Sequence, residues 1–204
     1  MDQIRTIFFD FGNVIGYFDH GRATQRLAAY TDTVHDLLHQ TLYHRERFAA
    51  FETGLIDAKS YVEQILVECR LRCDDAAFRS AFADIFAPNT EVCQLIPRLA
   101  QHYRLVLASN TNELHAELFL RAYQDTLAHF RKLVLSHQVK ARKPDALFYA
   151  RCQEWADCPP GQCLFIDDGA DNVAAARVHG WKAIQYVDFE SLQRDLRQLS
   201  VYNE

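Results

Sequence analysis

Residues 4–16 read IRTIFFDFGNVIG. The first half is a β-branched and aromatic run without polar alternation, which suits a strand covered on both faces of a parallel sheet. It ends on a carboxylate, Asp10, followed at once by Phe11, Gly12 and Asn13. A buried, unpaired aspartate is costly, so Asp10 must be solvated, paired or held by a cation. Four more segments have the same strand character: 103–109 (YRLVLAS), 132–136 (KLVLS), 162–167 (QCLFID) and 182–187 (KAIQYV). Helical patterns lie between the last four: ELHAELFLRAY, then ALFYARCQEW after Pro144, then ADNVAAARVHG stopped by Gly180. The chain closes on a helical FESLQRDLRQL. Strand–helix alternation of this kind predicts an α/β fold with a doubly wound, Rossmann-like parallel sheet.

The first two strands break the alternation. About ninety residues separate them, with helical periodicity over 20–30, 33–45, 57–71 and 74–86 and breaks near Thr31, Gly54 and Pro88. That is far too long for an ordinary crossover. The expectation is a core of residues 1–16 and 89–204, with an all-α insertion over 17–88 that returns to the sheet through a helix at 91–101.

Bulk composition narrows the function. The 204 residues are 49% hydrophobic and 24% charged, as in an ordinary globule. A net charge of −5 argues against nucleic acid as a partner, because binding it calls for a basic patch. No apolar run reaches the length of a membrane span, and the N-terminus lacks the plan of a signal peptide. The six cysteines show no zinc-binding pattern and read as reduced thiols, which points to a cytoplasmic location. Cys69 and Cys73, four apart, are expected to share a helix face.

Four polar signals follow the C-terminal ends of predicted strands, where the ligand crevice of an open α/β sheet lies. Asp10 ends the first strand and Ser109-Asn110 the second. Arg142-Lys143-Pro144-Asp145 follows the third, and Asp167-Asp168 ends the fourth. Three carboxylates in one crevice repel unless a cation intervenes. Mg²⁺, which takes carboxylates, waters and phosphate oxygens, fits Asp10, Asp167 and Asp168, with the Gly12 carbonyl as a further ligand. Lys143 and the Ser109 hydroxyl would hold phosphoryl oxygens, together with N–H groups of residues 11–13 (Phe11 and Gly12 included) or 110–111 (Asn110 included). Phosphoryl transfer needs in-line positioning and charge compensation, and Asp10 is the natural nucleophile for an aspartyl-phosphate.

These stretches, FFDFGNV, VLASNTN, ARKPD and FIDDGADNV, resemble the four motifs of the haloacid dehalogenase-like (HAD) hydrolase superfamily. The helical insertion resembles its C1 cap. Within the superfamily the chain looks most like the glucose-1-phosphatase-like and soluble epoxide hydrolase N-terminal-like phosphatases. The resemblance implies a Mg²⁺-dependent phosphatase acting on a small phosphorylated metabolite, a hexose 1-phosphate being the leading example, in a monomer or small homo-oligomer. It makes Asp10 nucleophile and metal ligand, Asp168 a direct ligand, and Asp167 a ligand directly or through water. Asn172 becomes a supporting partner behind them.

Two departures stand out. Phosphatases of this kind usually carry a second Asp two residues after the nucleophile as acid and base, and here that place is Gly12. Losing such a group costs on the order of 10²–10⁴ in rate. Lys140 also replaces the glycine usual three residues before the lysine. A phosphate-binding protein with little turnover and a 2-haloacid dehalogenase are the alternatives, and the Asp167-Asp168 pair argues against the second. In the insertion, His44, Arg45 and Arg47 beside Phe48 and Phe51 are candidate readers of the leaving group, or else a solvated basic face.

Overall fold

The computed structural model describes residues 3–201. Five parallel strands form the central sheet: β1 (Thr6–Phe9), β4 (Arg104–Ser109), β5 (Lys132–Leu135), β6 (Cys163–Asp167) and β7 (Lys182–Gln185), in the order β5-β4-β1-β6-β7. All four residues of β1 are buried, and their pairing with both β4 and β6 puts this strand at the centre. The absence of alternation in IRTIFF follows from that position. Ile7 and Phe9 join one core with α6 (Thr90–Leu99), α7 (Glu113–Ala122) and α12 (Phe189–Gln198). Phe8 points the other way, to α10 (Ala146–Gln153) and α11 (Ala170–Val178), and stacks on Trp181 at 4.2 Å. The sheet is therefore doubly wound, as expected. The chain builds outward from β1 to β4 and β5, then returns across it to β6, which puts the topological switch beside Asp10.

Between β1 and α6 lie five helices: α1 (His20–Ala28), α2 (His35–Leu42), α3 (Arg45–Glu52), α4 (Ala58–Glu68) and α5 (Asp75–Ala83). Leu27, Leu38, Leu42, Phe51, Tyr61, Ile65, Phe78 and Phe82 form a hydrophobic cluster of their own, joined from the sheet side by Leu114 of α7. Aspartates cap three of these helices: Asp19, Asp57 and Asp74 accept from Gly21, Ser60 and Ala77 N–H groups.

The segment is not all helix. β2 (Gly16–Phe18) and β3 (Phe86–Pro88) pair antiparallel, with Gly16 opposite Pro88, so the chain leaves and re-enters through a two-stranded ribbon. Cys69 and Cys73 do not share a helix face either: α4 ends at Glu68, Cys69 caps it, and Arg70 turns the chain at φ +48°. Two shorter helices complete the fold, α8 (Gln124–Leu127) and α9 (Ser136–Val139). Among the described residues, no helix is long and apolar enough to cross a membrane.

Candidate active site

Asp10 sits one residue beyond β1, and its N–H donates to Ile166 C=O at 2.9 Å. The next residues turn tightly: Asn13 adopts φ +55°, and Ile15 and Gly16 N–H groups both donate to Phe11 C=O. Phe11 locks this turn from below, stacking on Phe119 at 4.1 Å and meeting Phe86 and Tyr123 edge-on. Its ring belongs to the core.

Lys143, 1% exposed, is the hub. Its Nζ stands 2.7 Å from Asp10 Oδ1 and 2.6 Å from Asp167 Oδ2. Asn110 anchors its backbone: Lys143 N–H donates to Asn110 Oδ1 at 2.8 Å, and Asn110 Nδ2 donates to Lys143 C=O at 2.9 Å. Asp167 is saturated, its Oδ1 accepting from Gly169 N–H and from Asn172 Nδ2, each at 2.8 Å. Asp168 is held by Asn13 Nδ2, 2.9 Å from its Oδ2. Oxygens of Asp10, Asp167 and Asp168 lie within 4.8 Å of one another.

The charges do not balance inside this group, because one ammonium serves three carboxylates. Burial pushes Asp10 up to about 8; Lys143 opposes that shift, while Asp167 and Asp168 add to it. Burial works against the Lys143 charge, yet Asp10 and Asp167 outweigh it and hold the ammonium protonated. Hard oxygen donors with excess negative charge suit a divalent cation such as Mg²⁺. The structure thus brings together Asp10, Gly12, Ser109, Asn110, Lys143, Asp167, Asp168 and Asn172.

Some expectations shift. The Phe11 N–H already donates to Asp10 Oδ1, Asn13 N–H to Gly16 C=O, and Thr111 N–H to Ser136 Oγ. None of these three is then a free donor for phosphate. Arg47 turns inward to Glu68 and the Thr41 carbonyl, while His44 and Arg45 are exposed.

Other residues surround the crevice instead. A cavity of about 70 Å³ is lined by Gly12, Ser109 and Asn110, and by Phe18, His20 and Glu52. A Cβ on Gly12 would stand 3.0 Å from the Phe18 ring, so a side chain at position 12 would press on this residue of β2. Burial lowers His20 to about 4, and its ring stacks on Tyr43 at 4.0 Å. Glu52 ends α3 and pairs with Arg142 at 3.0 Å. No local motif flags His20 or Glu52 in the sequence, because folding alone brings the insertion over the sheet. A larger hollow of about 470 Å³, lined by Phe86, Pro88, Cys93 and Tyr123 among others, contains none of the predicted site residues.

Residues 4–180 match the family described as haloacid dehalogenase-like hydrolase. A D-ribitol-5-phosphate phosphatase from Bacteroides thetaiotaomicron is 27% identical over 193 residues, covering 90% of this chain and 92% of that protein. A predicted HAD-like hydrolase from Porphyromonas gingivalis superposes with a TM-score of 0.81 at 24% identity, over 96% of this chain and 99% of the other. A HAD family enzyme from B. thetaiotaomicron, solved with magnesium and inorganic phosphate, gives a TM-score of 0.77 at 21% identity, over 93% and 98%. At those identities the two structures speak for the fold.

Proposed function

Since the chain belongs to the haloacid dehalogenase-like hydrolase family, we propose that it is a Mg²⁺-dependent phosphatase for a small polyol or sugar phosphate. The observation that carries this reading is the clustering of three carboxylates around one buried lysine at the sheet's switch point. The ribitol-phosphate phosphatase relative supports the substrate class, within which a hexose 1-phosphate remains a candidate.

Asp10 attacks phosphorus and takes the phosphoryl group as an aspartyl-phosphate. Lys143 compensates charge on an equatorial oxygen, and Ser109 donates to another. Asp10, Asp168 and the Gly12 carbonyl would hold Mg²⁺, which supplies charge compensation for the phosphoryl oxygens. Asp167 has both oxygens engaged by Lys143, Gly169 and Asn172, which suits an orienting role behind Asp168. Residues 17–88 act as a cap over the phosphate pocket and set the leaving group.

Phosphate release from D-ribitol 5-phosphate and from p-nitrophenyl phosphate tests this. Release should require Mg²⁺ and vanish with EDTA or in Asp10→Asn. Activity surviving either change defeats the mechanism. Gly12 favours a second reading, phosphate binding without turnover, which predicts Mg²⁺-dependent BeF₃⁻ binding and no phosphate release.

A further inference from the structure

We propose that Glu52, carried into the crevice by α3, is the proton donor to the leaving oxygen and does the work for which position 12 has no carboxyl. The inference rests on the phosphatase reading. It begins from a chemical deficit: an alkoxide is a poor leaving group, so an alkyl phosphate needs a proton delivered as its P–O bond breaks. Gly12 cannot deliver it, and the Phe18 ring occupies the space beside it.

The titratable side chains lining the cavity over Ser109 and Asn110 are His20, Glu52 and His115. His115 is stacked on Phe82 with its Nδ1 turned to Asn112, and burial leaves it neutral at physiological pH. His20, stacked on Tyr43, is neutral for the same reason. A neutral imidazole is a very weak acid. Glu52 remains.

Glu52 is also well placed. Its carbonyl accepts from Ser136 Oγ at 2.6 Å, which ties the end of α3 to the turn after β5. One carboxylate oxygen, Oε2, meets Arg142, the neighbour of Lys143 in sequence. A single loop therefore fixes the carboxyl relative to the phosphate-holding ammonium. The side chain is 12% exposed. Burial raises its pKa, while Arg142 and Lys143 pull it back.

The step balances. Asp10 forms the new O–P bond, the ester P–O bond breaks, and the Glu52 proton goes to the departing oxygen, leaving an alcohol. Water then attacks phosphorus of the aspartyl-phosphate and gives its proton to Glu52. Inorganic phosphate leaves, and both carboxyl groups return to their starting states.

The test compares kcat/KM for alkyl esters (D-ribitol 5-phosphate, glycerol 3-phosphate, glucose 6-phosphate) with p-nitrophenyl phosphate, whose leaving group needs no proton. Glu52→Gln should lose about 10²–10³-fold on the alkyl esters that the wild type hydrolyses, and less than about fivefold on the aryl ester. If Glu52→Gln does not fold, Glu52→Asp carries the comparison, with the alkyl loss again exceeding the aryl loss. Equal losses on both esters, or selective alkyl loss in His20→Asn instead, would overturn the assignment. So would a wild type active only on the aryl ester. A wild type that releases no phosphate from any ester under Mg²⁺ brings down the phosphatase reading itself.

Discussion

Lys143 concentrates the energetics of the site in one side chain. Its ammonium is shared by two carboxylates at 2.7 and 2.6 Å in a place closed to water. Removing one member of a buried charge group strands the others, at a cost of about 3–5 kcal/mol. Lys143→Met should therefore lower the unfolding free energy, read from urea curves at pH 7, by an amount of that order and shift the midpoint down accordingly. Millimolar Mg²⁺ should restore part of the loss, since a cation can supply the missing charge. An unchanged midpoint would mean that the carboxylates are relieved by water rather than by the lysine. Asp10 and Asp167 are legible in sequence because each ends an apolar run, and Lys143 through the RKPD stretch downstream of a third such run. Asn13, which positions Asp168, is not: in sequence it is just a turn residue beside a glycine, and its partner lies 155 positions away.

At the scale of elements, the decisive contact is between the turn joining α3 to α4 and the turn after β5. Gly54 sits at φ +62°, and a Cβ there would fall 2.2 Å from the His137 carbonyl oxygen. Lys140, the residue that departs from the family's glycine, adopts φ +56° and donates from Nζ to Gly54 C=O at 2.6 Å. Together with the Ser136 and Arg142 contacts to Glu52, this latch holds α3 over the crevice. Gly54→Ala adds both a clash and a left-handed backbone penalty, so it should cost more than about 1 kcal/mol, read from urea unfolding curves. The five sheet strands are readable as apolar runs because burial on both faces demands such runs. The ribbon is not readable. Its strands, GYF and FAP, are three residues each, too short for any periodicity, and they pair across sixty-odd intervening positions.

For the whole molecule, the aromatic cluster shared by the insertion and α7 makes stability depend on pH. His20 and His115 are neutral in the folded chain, lowered by burial to about 4 and about 3 from an ordinary value of 6.5. The unfolded chain binds these protons first as pH falls, so stability is full above about pH 6.5 and drops as pH descends toward 4 and 3. His115→Phe keeps the stack on Phe82 and removes one such proton. Urea unfolding at pH 7 and pH 5 should show a smaller loss in this variant than in the wild type. An equal loss would place the acid sensitivity elsewhere.

Read alone, the chain determines the parallel sheet, a long helical insertion and the acidic, hydroxyl and ammonium groups at strand ends. Those are local consequences of burial and backbone geometry, written in the order of the residues. Tertiary structure alone decides which carboxylate the lysine saturates, that Phe18 closes the side of Gly12, and that His20 and Glu52 reach the pocket from helices of the insertion. Such outcomes depend on how two separately packed layers meet across a ribbon and a latch, and contacts of that range leave no periodic trace in the sequence.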